Sequence, residues 1–97
     1  MDYAKTLVRG RVASEPIFKD NHGIKLSSFD LACHNGRLTE FYNIVAFGAV
    51  AEFTITNVKK EDQILIEGAL YQQRIRAGNG EIENKTIINA HCIHILR

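Results

Sequence analysis

Apolar and polar residues alternate along most of the chain, and this period of two predicts β-strands. In the first segment, Val8, Gly10 and Val12 fall on one face. The opposite face holds Lys5, Leu7, Arg9 and Arg11. The same patterning predicts four further strands, at Ile24–Cys33, Leu38–Phe47, Gln63–Ile75 and Lys85–Leu96. The chain is therefore predicted to be mostly β-structure.

Turn-forming residues between these segments place the connections. Ser14-Glu15-Pro16 ends the first strand, and Ile17–Lys19 resumes extended structure before the polar turn Asp20–Gly23. This turn predicts a hairpin with the second strand. Asn35-Gly36 predicts a two-residue type I′ turn before the third strand, because both residues tolerate positive φ. A glycine-bearing loop, Ala77–Gly80, precedes the last strand.

One short helix is predicted after the third strand, over Gly48–Val58. Its apolar stripe is expected to contain Val50 and Phe53, followed by either Ile55 or Val58. The polar segment Lys59–Asp62 then connects the helix to the fourth strand.

The predicted order β-β-β-α-β-β indicates an all-β fold class. It is the layout of the OB-fold, a five-stranded Greek-key barrel that often binds single-stranded nucleic acid. Gly10 and Gly68 lie within predicted strands, where a small barrel must bend sharply. A helix in the middle of the chain is part of the OB-fold layout but not of a plain β-sandwich, so the helix favours the OB-fold. We therefore expect a single OB-fold domain over residues 1–97.

Composition and charge narrow the function. A chain of 97 residues is expected to form one domain. Its hydrophobic core is small, so association with other subunits would add stability. Twelve basic and eleven acidic residues give a net charge of +1, so nucleic-acid binding would need a local patch. Two cysteines and no apolar leader predict a reduced, intracellular protein. The uncharged, apolar-rich run Phe41–Ala51 is well short of the roughly 20 residues of a membrane helix.

Four segments match one pattern in order and spacing across nearly the whole chain. They are Leu7–Pro16, Phe29–Cys33, Thr39–Glu52, and Lys59-Lys60 with Ile64–Leu70. Together they resemble the bacterial single-stranded DNA-binding protein family. Its members have an opening strand with a glycine and an acidic-Pro turn. The segment that leads into the helix has an aromatic residue, two valines and an aromatic-Gly pair, and Leu-Ala-Glu opens the helix. A Lys-Gly turn then precedes the fourth strand.

The resemblance implies sequence-non-specific binding and protection of single-stranded DNA in replication, recombination and repair. It also implies a homotetramer, partly built by pairing first strands, with no cofactor. The expected location is the bacterial cytoplasm with the nucleoid, or an organelle matrix of bacterial descent. The family's flexible tail with an acidic tip is not found, which fits a trimmed core or a tail-less relative such as primosomal replication protein N. That relative implies a dimer and a primosome or replication assembly factor acting mainly through protein partners.

Two phenylalanines are the main candidate stacking platforms. Phe41 and Phe47 are six residues apart on one strand and share a face, so both can be exposed for base stacking or both can be core. The family commonly uses tryptophans here, but this chain has none, and Phe41 and Ile75 occupy those positions. The complete set of predicted nucleic-acid-binding residues is Lys5, Arg9, Arg11, Arg37, Phe41, Phe47, Lys60, Tyr71, Arg74 and Arg76.

Metal binding and catalysis have little support in the sequence. Cys33, His34, His91, Cys92 and His94 are zinc-ligand types, but no C-x-x-C or H-x₃-H pair occurs. No motif of a nucleophilic, phosphate-binding or metal-dependent enzyme is present, so neither a metal site nor an enzyme is expected.

Overall fold

A computed structural model describes residues 4–96. Six strands and one helix follow each other along this part of the chain. They are β1 (Ala4–Val12), β2 (Ile17–Asn21), β3 (Ile24–Asn35), β4 (Leu38–Phe47), α1 (Gly48–Asn57), β5 (Gln63–Arg76) and β6 (Ile82–Leu96). The segment predicted only as extended, Ile17–Lys19, forms the short strand β2. The last strand begins three residues before its predicted start, at Ile82 instead of Lys85.

Five of the strands close into a ring. The sheet order is β1-β5-β6-β4-β3, and the end of β1 returns to pair with β3 through Arg11 and Val12. All of these pairs are antiparallel except β4 with β6. Strand β2 lies outside the ring and pairs with β3. The predicted OB-fold barrel is confirmed.

The core follows from the alternation within the strands. Inward positions carry aliphatic side chains that are fully buried, among them Leu31, Ile44, Ile64, Ile66 and Ile88. Because cross-strand neighbours share a face, each ring strand contributes one of its faces to this core.

Helix α1 caps the barrel with a stripe that agrees only in part with the predicted one. Its buried residues are Ala51 and Thr54, and Val58, which follows its last turn, is also buried. Val50 is partly buried against the core and, of the two predicted alternatives, Val58 is buried and Ile55 is exposed. Phe53 is exposed, so its assignment to the buried stripe was wrong. Small side chains let the helix approach the barrel closely, and the Thr54 hydroxyl donates a hydrogen bond to the Val50 carbonyl at 2.8 Å. Within residues 4–96, no helix is both long and apolar enough to cross a bilayer.

The turn between β3 and β4 differs in type from the prediction. Asn35 pairs with Leu38, so the β3–β4 turn is Gly36-Arg37, shifted by one residue from the predicted Asn35-Gly36. Only Gly36 of these two has a positive φ, as a type II′ turn requires. Two successive positive φ values, the mark of a type I′ turn, occur instead at His22-Gly23 between β2 and β3.

Two glycines allow neighbouring strands to approach closely. A Cβ atom on Gly10 would lie 2.5 Å from the Ala32 carbonyl oxygen, where β1 returns to β3. On Gly68 it would lie 2.1 Å from the Asn89 carbonyl oxygen, at a bulge between β5 and β6. Both glycines are therefore required by ring closure, as the sequence predicted for a sharply bent barrel.

Glu61 has a left-handed backbone conformation in the turn between α1 and β5. Its φ is 81°, and its N–H donates to the Val12 carbonyl at 2.8 Å. The family that the sequence resembles has a glycine at this position of its Lys-Gly turn. Holding a residue with a side chain at such a φ costs about 1–2 kcal/mol. Arg11 forms an exposed ion pair with Glu61 at 3.1 Å, which offsets little of this cost.

Replacing Glu61 with glycine is therefore expected to raise the free energy of unfolding by about 1 kcal/mol. Urea denaturation followed by circular dichroism measures the change. Glu61→Gln is the matched control, because it removes the charge and keeps the strained conformation. A Glu61→Gly protein no more stable than Glu61→Gln would contradict the strain argument.

Candidate nucleic-acid interface

Strand β4 presents an aromatic outer face. Ile44 and Ala46 point into the core, so the alternating residues Phe41 and Phe47 point outward. Their side chains are 64% and 47% exposed, respectively. The alternative that both phenylalanines belong to the core is excluded, and two aromatic surfaces are available on one face of the barrel.

A groove of about 510 Å³ runs across this face. It lies between β3 and β4 on one side and the β5–β6 hairpin on the other. Its lining residues are Asp30, Phe41, Tyr42, Asn43, Ile75, Glu83, Asn84, Lys85 and Thr86. Phe41 and Ile75, the two positions that resemble the family's tryptophan sites, therefore line one groove.

Polar contacts fix the floor of this groove at Asp30. Its backbone N–H donates to the Ser14 hydroxyl at 2.9 Å, and its carbonyl accepts from the Ala13 N–H at 2.8 Å. The Asn43 side-chain amide donates to Asp30 Oδ1 at 3.4 Å across the β3–β4 pair. The carboxylate is thus held at a defined place beside Phe41.

Tyr42 contributes to the groove from the edge of the core. Its hydroxyl donates a hydrogen bond to Glu40 Oε2 at 2.7 Å. This hydrogen bond, burial and the charge of Glu40 raise the pKa of Tyr42 above its ordinary value. The phenol therefore stays neutral at physiological pH.

The groove lining is not positively charged. Its charged residues are Asp30, Glu83 and Lys85, two acids and one base. The cationic groove expected from the sequence is thus not found in the lining itself. The cations that neutralise the phosphates of a bound strand must therefore come from residues outside the groove lining.

Two predicted cations are already paired with acids. Lys5 Nζ lies 2.6 Å from Glu67 Oε1, and Arg11 Nη1 lies 3.1 Å from Glu61 Oε2. The hydrogen bond and positive charge of Lys5 lower the pKa of Glu67, with smaller effects of His91 and His94. Both pairs compete with any phosphate for these cations.

Five predicted cations make no ion pair within the described part of the chain; they are Arg9, Arg37, Lys60, Arg74 and Arg76. Arg37 lies in the β3–β4 turn, and Lys60 lies in the connection after α1. Arg74 and Arg76 flank Ile75 on β5, so they leave the strand on the face opposite to it. Arg9 pairs across from Leu65, near the end of the barrel away from the groove.

Tyr71 lies on the same outer face, next to the groove. It pairs with Ile87, which in turn pairs with Asn43 of the groove. With strands spaced about 4.8 Å apart, Tyr71 lies roughly 10 Å from Asn43 across the sheet. Phe41, Phe47 and Tyr71 therefore all lie on the outer face of the barrel, with Tyr71 near the groove and Phe47 at the far end of β4.

Sequence reasoning missed the polar lining of the groove. Asp30, Glu83 and Lys85 were not among the predicted binding residues. In the observed hairpin Ile75 pairs with Glu83 and Gln73 with Lys85, because the loop is one residue longer than the predicted Ala77–Gly80. Counting outward from the predicted loop would pair Ile75 with Ile82 and miss both residues. No local signal reveals Asp30 either, since its place depends on the pairing of β3 with β4.

The candidate metal ligands are dispersed. Cys92 Sγ lies 3.2 Å from His94 Nε2, and His34 Nδ1 lies 2.8 Å from the Thr39 hydroxyl. Burial, followed by the charge of Glu40, raises the pKa of the Cys33 thiol. Residues 4–96 contain no group of three side chains that could hold a metal ion.

The closed ring of five strands, with its helix between β4 and β5, makes this an OB-fold protein. The model of the single-strand binding protein family matches residues 3–96, and the chain belongs to this family. No curated protein sequence matches the chain significantly.

Solved structures share the whole fold at low identity. The small single-stranded DNA-binding protein of Streptomyces coelicolor has a TM-score of 0.87 and 21% identity, covering 98% of this chain and 95% of that one. The S. cerevisiae mitochondrial single-stranded DNA-binding protein Rim1 has a TM-score of 0.83 and 20% identity, with coverages of 100% and 98%. The SSB domain of a Synechococcus protein has a TM-score of 0.79 and 14% identity, with 97% of each chain covered.

Proposed function

We propose that this protein binds single-stranded DNA without strong sequence preference and protects it during replication, recombination and repair. Family membership supports binding of single strands. The observation that carries the proposal is the groove lined by exposed Phe41 and by Ile75. Bases stacked on an aromatic face need no particular sequence, and duplex DNA hides the base faces that stacking requires.

The proposed binding residues divide into platforms and cations. Phe41, Phe47 and Tyr71 provide exposed aromatic surface on one side of the barrel. Phosphates are neutralised by the unpaired cations, all of which lie outside the groove lining. Arg9 is near the far end of the barrel and Arg74 and Arg76 leave β5 on the face opposite Ile75, so the bound strand must extend beyond the groove to reach them. Lys5 and Arg11 join them where a phosphate displaces the acid partner. No cofactor or catalytic group is required. The proposed location is the bacterial cytoplasm or an organelle matrix.

We further propose a homo-oligomer, with a tetramer favoured over a dimer. Within residues 4–96, only Arg11 and Val12 of β1 pair with β3, so Thr6–Arg9 have a strand partner on one edge only. Leu7, on this strand, is 66% exposed. An edge strand with an exposed apolar side chain is suited to pairing with a second copy.

A replication or primosome assembly factor is the second candidate function. Leu38 and Ile82, at the turn ends of the two hairpins that flank the groove, are exposed apolar residues. Such residues suit contact with a protein partner. Competition between DNA and a partner protein for this surface would distinguish the assembly factor.

Fluorescence anisotropy with a labelled dT oligonucleotide of about 35 nucleotides tests the proposed function, with a duplex of equal length as the control. We expect tight binding of the single strand and weak binding of the duplex. The five unpaired cations predict a slope of log affinity against log salt of about −2 to −4 per protomer, at about 0.7 per neutralised phosphate.

The outcomes separate the two candidate functions. A slope near zero would show that stacking alone holds the strand. Absence of binding to either DNA at low salt would overturn the proposal and favour the protein-binding role.

A further inference from the structure

We propose that Asp30 reads base edges in the groove and gives this protein a preference for cytosine over uracil-type bases. The inference rests on the proposed function and names a determinant of base selectivity within the same site. Stacking on Phe41 alone would accept every base. A carboxylate beside the platform adds a group that distinguishes one base edge from another.

The position of Asp30 relative to Phe41 follows from the strand register. Asp30 pairs with Asn43, and Phe41 precedes Asn43 by two residues on β4. Asp30 and Phe41 are therefore diagonal neighbours on the same face, about 7–8 Å apart, a distance that aromatic and longer groups span. A base stacked on Phe41 has its edge within reach of the Asp30 carboxylate.

The carboxylate is oriented and still has accepting capacity. Both backbone polar groups of Asp30 are bonded to the segment after β1, through Ser14 and Ala13. Asn43 occupies Oδ1 at 3.4 Å. Among the described residues, nothing donates to Oδ2, and no cation forms an ion pair with Asp30.

The charge of Asp30 decides which part of the strand faces it. A carboxylate repels phosphate, so a bound strand lies with its bases toward Asp30 and its phosphates toward the surrounding cations. An ionised carboxylate only accepts hydrogen bonds. It therefore selects base edges with a donor and disfavours edges that present carbonyl oxygens.

Cytosine and uracil differ in this respect. Cytosine presents an exocyclic amino group at position 4, a recognised partner of Asp and Glu, whereas uracil and thymine present a carbonyl oxygen there. Deoxyuridine is the better probe for comparison because it lacks the thymine methyl group. The comparison of dC with dU then isolates the position-4 group and the neighbouring ring nitrogen.

Glu83 supplies the matched control. It lines the same groove and carries the same charge, but it lies on β6 opposite Ile75, away from the Asp30–Asn43 pair. Glu83→Gln and Asp30→Asn each remove one negative charge from the groove. Both are expected to strengthen binding of every oligonucleotide, whereas only Asp30→Asn replaces the acceptor-only carboxylate beside Phe41 with an amide that can both accept and donate.

The test measures Kd for dC and dU oligonucleotides of about 15 nucleotides, near the upper site size of one OB-fold, at one salt concentration. The wild-type protein is expected to bind dC about 5- to 10-fold more tightly than dU, as one base-edge contact allows. Asp30→Asn is expected to bring this ratio close to about 1, because its amide can donate to the uracil carbonyl. Glu83→Gln is expected to keep the wild-type ratio.

Three results would overturn the inference while leaving the proposed function standing. They are equal wild-type affinity for dC and dU, an unchanged ratio in Asp30→Asn, and an equal fall of the ratio in Glu83→Gln. Absence of binding to both oligonucleotides would instead overturn the proposed function and the inference together.

Discussion

Replacing Gly68 with alanine is expected to lower the free energy of unfolding by about 3 kcal/mol or more. The new Cβ atom would lie 2.1 Å from the Asn89 carbonyl oxygen and 2.9 Å from its carbonyl carbon. These are backbone atoms, which cannot move aside as the end of a side chain does. The strands β5 and β6 must separate at the bulge, next to the buried residues Ile66 and Ile88.

Thermal or urea unfolding at one fixed protomer concentration measures this effect, because association also contributes to apparent stability. For a domain of this size, a loss of 3 kcal/mol lowers the Tm by roughly 12–24 °C. Gly78→Ala is the matched control, because a Cβ atom there meets nothing within 4 Å. A Gly68→Ala protein that loses no more stability than Gly78→Ala would show that the strands are not held this closely.

The double substitution Phe41→Ala with Phe47→Ala is expected to weaken binding of single-stranded DNA by roughly 30- to 1,000-fold. This range corresponds to about 2–4 kcal/mol, or about 1–2 kcal/mol for each of two stacked bases, the lower part of the roughly 1–3 kcal/mol that stacking contributes. The effect follows from exposure, since both rings offer a free face to a base. Of the two single variants, Phe41→Ala is expected to lose more, because Phe41 also lines the groove.

Phe53→Ala serves as the control for this prediction. Phe53 is 40% exposed, similar to Phe47, but lies on α1. Its loss should leave DNA affinity within about twofold of wild type, as expected for a residue outside the stacking surface. Unfolding measured in parallel shows whether each variant keeps its fold. If the double variant binds as tightly as the wild type, the phenylalanines are not stacking platforms.

Local sequence patterns predicted where strands and the helix lie better than which of their side chains are buried. The alternation along Leu38–Phe47 correctly put Phe41 and Phe47 on one face and Ile44 on the other. It left open which face is buried, and the structure shows that it is the face of Ile44. The same kind of reasoning was only partly right for α1, where Val50 and Val58 pack on the core but Ala51 and Thr54 are buried and Phe53 is exposed. Which face of a short helix is buried depends on the space the barrel leaves, and here small residues fit that space.

The turns show the same limit. The residues Asn35-Gly36 correctly located a hairpin, but the loop is Gly36-Arg37. Register in a hairpin is selected by which side chains reach the core, since a slip of one residue would turn every side chain of the strand over. Here β3 and β4 are in the register that keeps Leu31 and Ile44 buried.

The candidate site was only partly predictable. Family resemblance singled out Phe41 and Ile75, and the structure places both in one groove. It could not show that Lys5 and Arg11 are paired with Glu67 and Glu61, because these partners are far apart in sequence. The role of the predicted binding residues remains a prediction for the experiments described above.

The sequence by itself determined the five main strands, the position of the helix and the OB-fold class, because these depend on periodicity and on turn residues close together in the chain. Tertiary structure alone decided the closure of β1 onto β3, the bulge at Gly68 and the acidic lining beside Phe41. Each of these depends on the register and twist of strands that are distant in sequence. Charge pairing and groove composition are therefore set when the ring closes, and no local pattern encodes them.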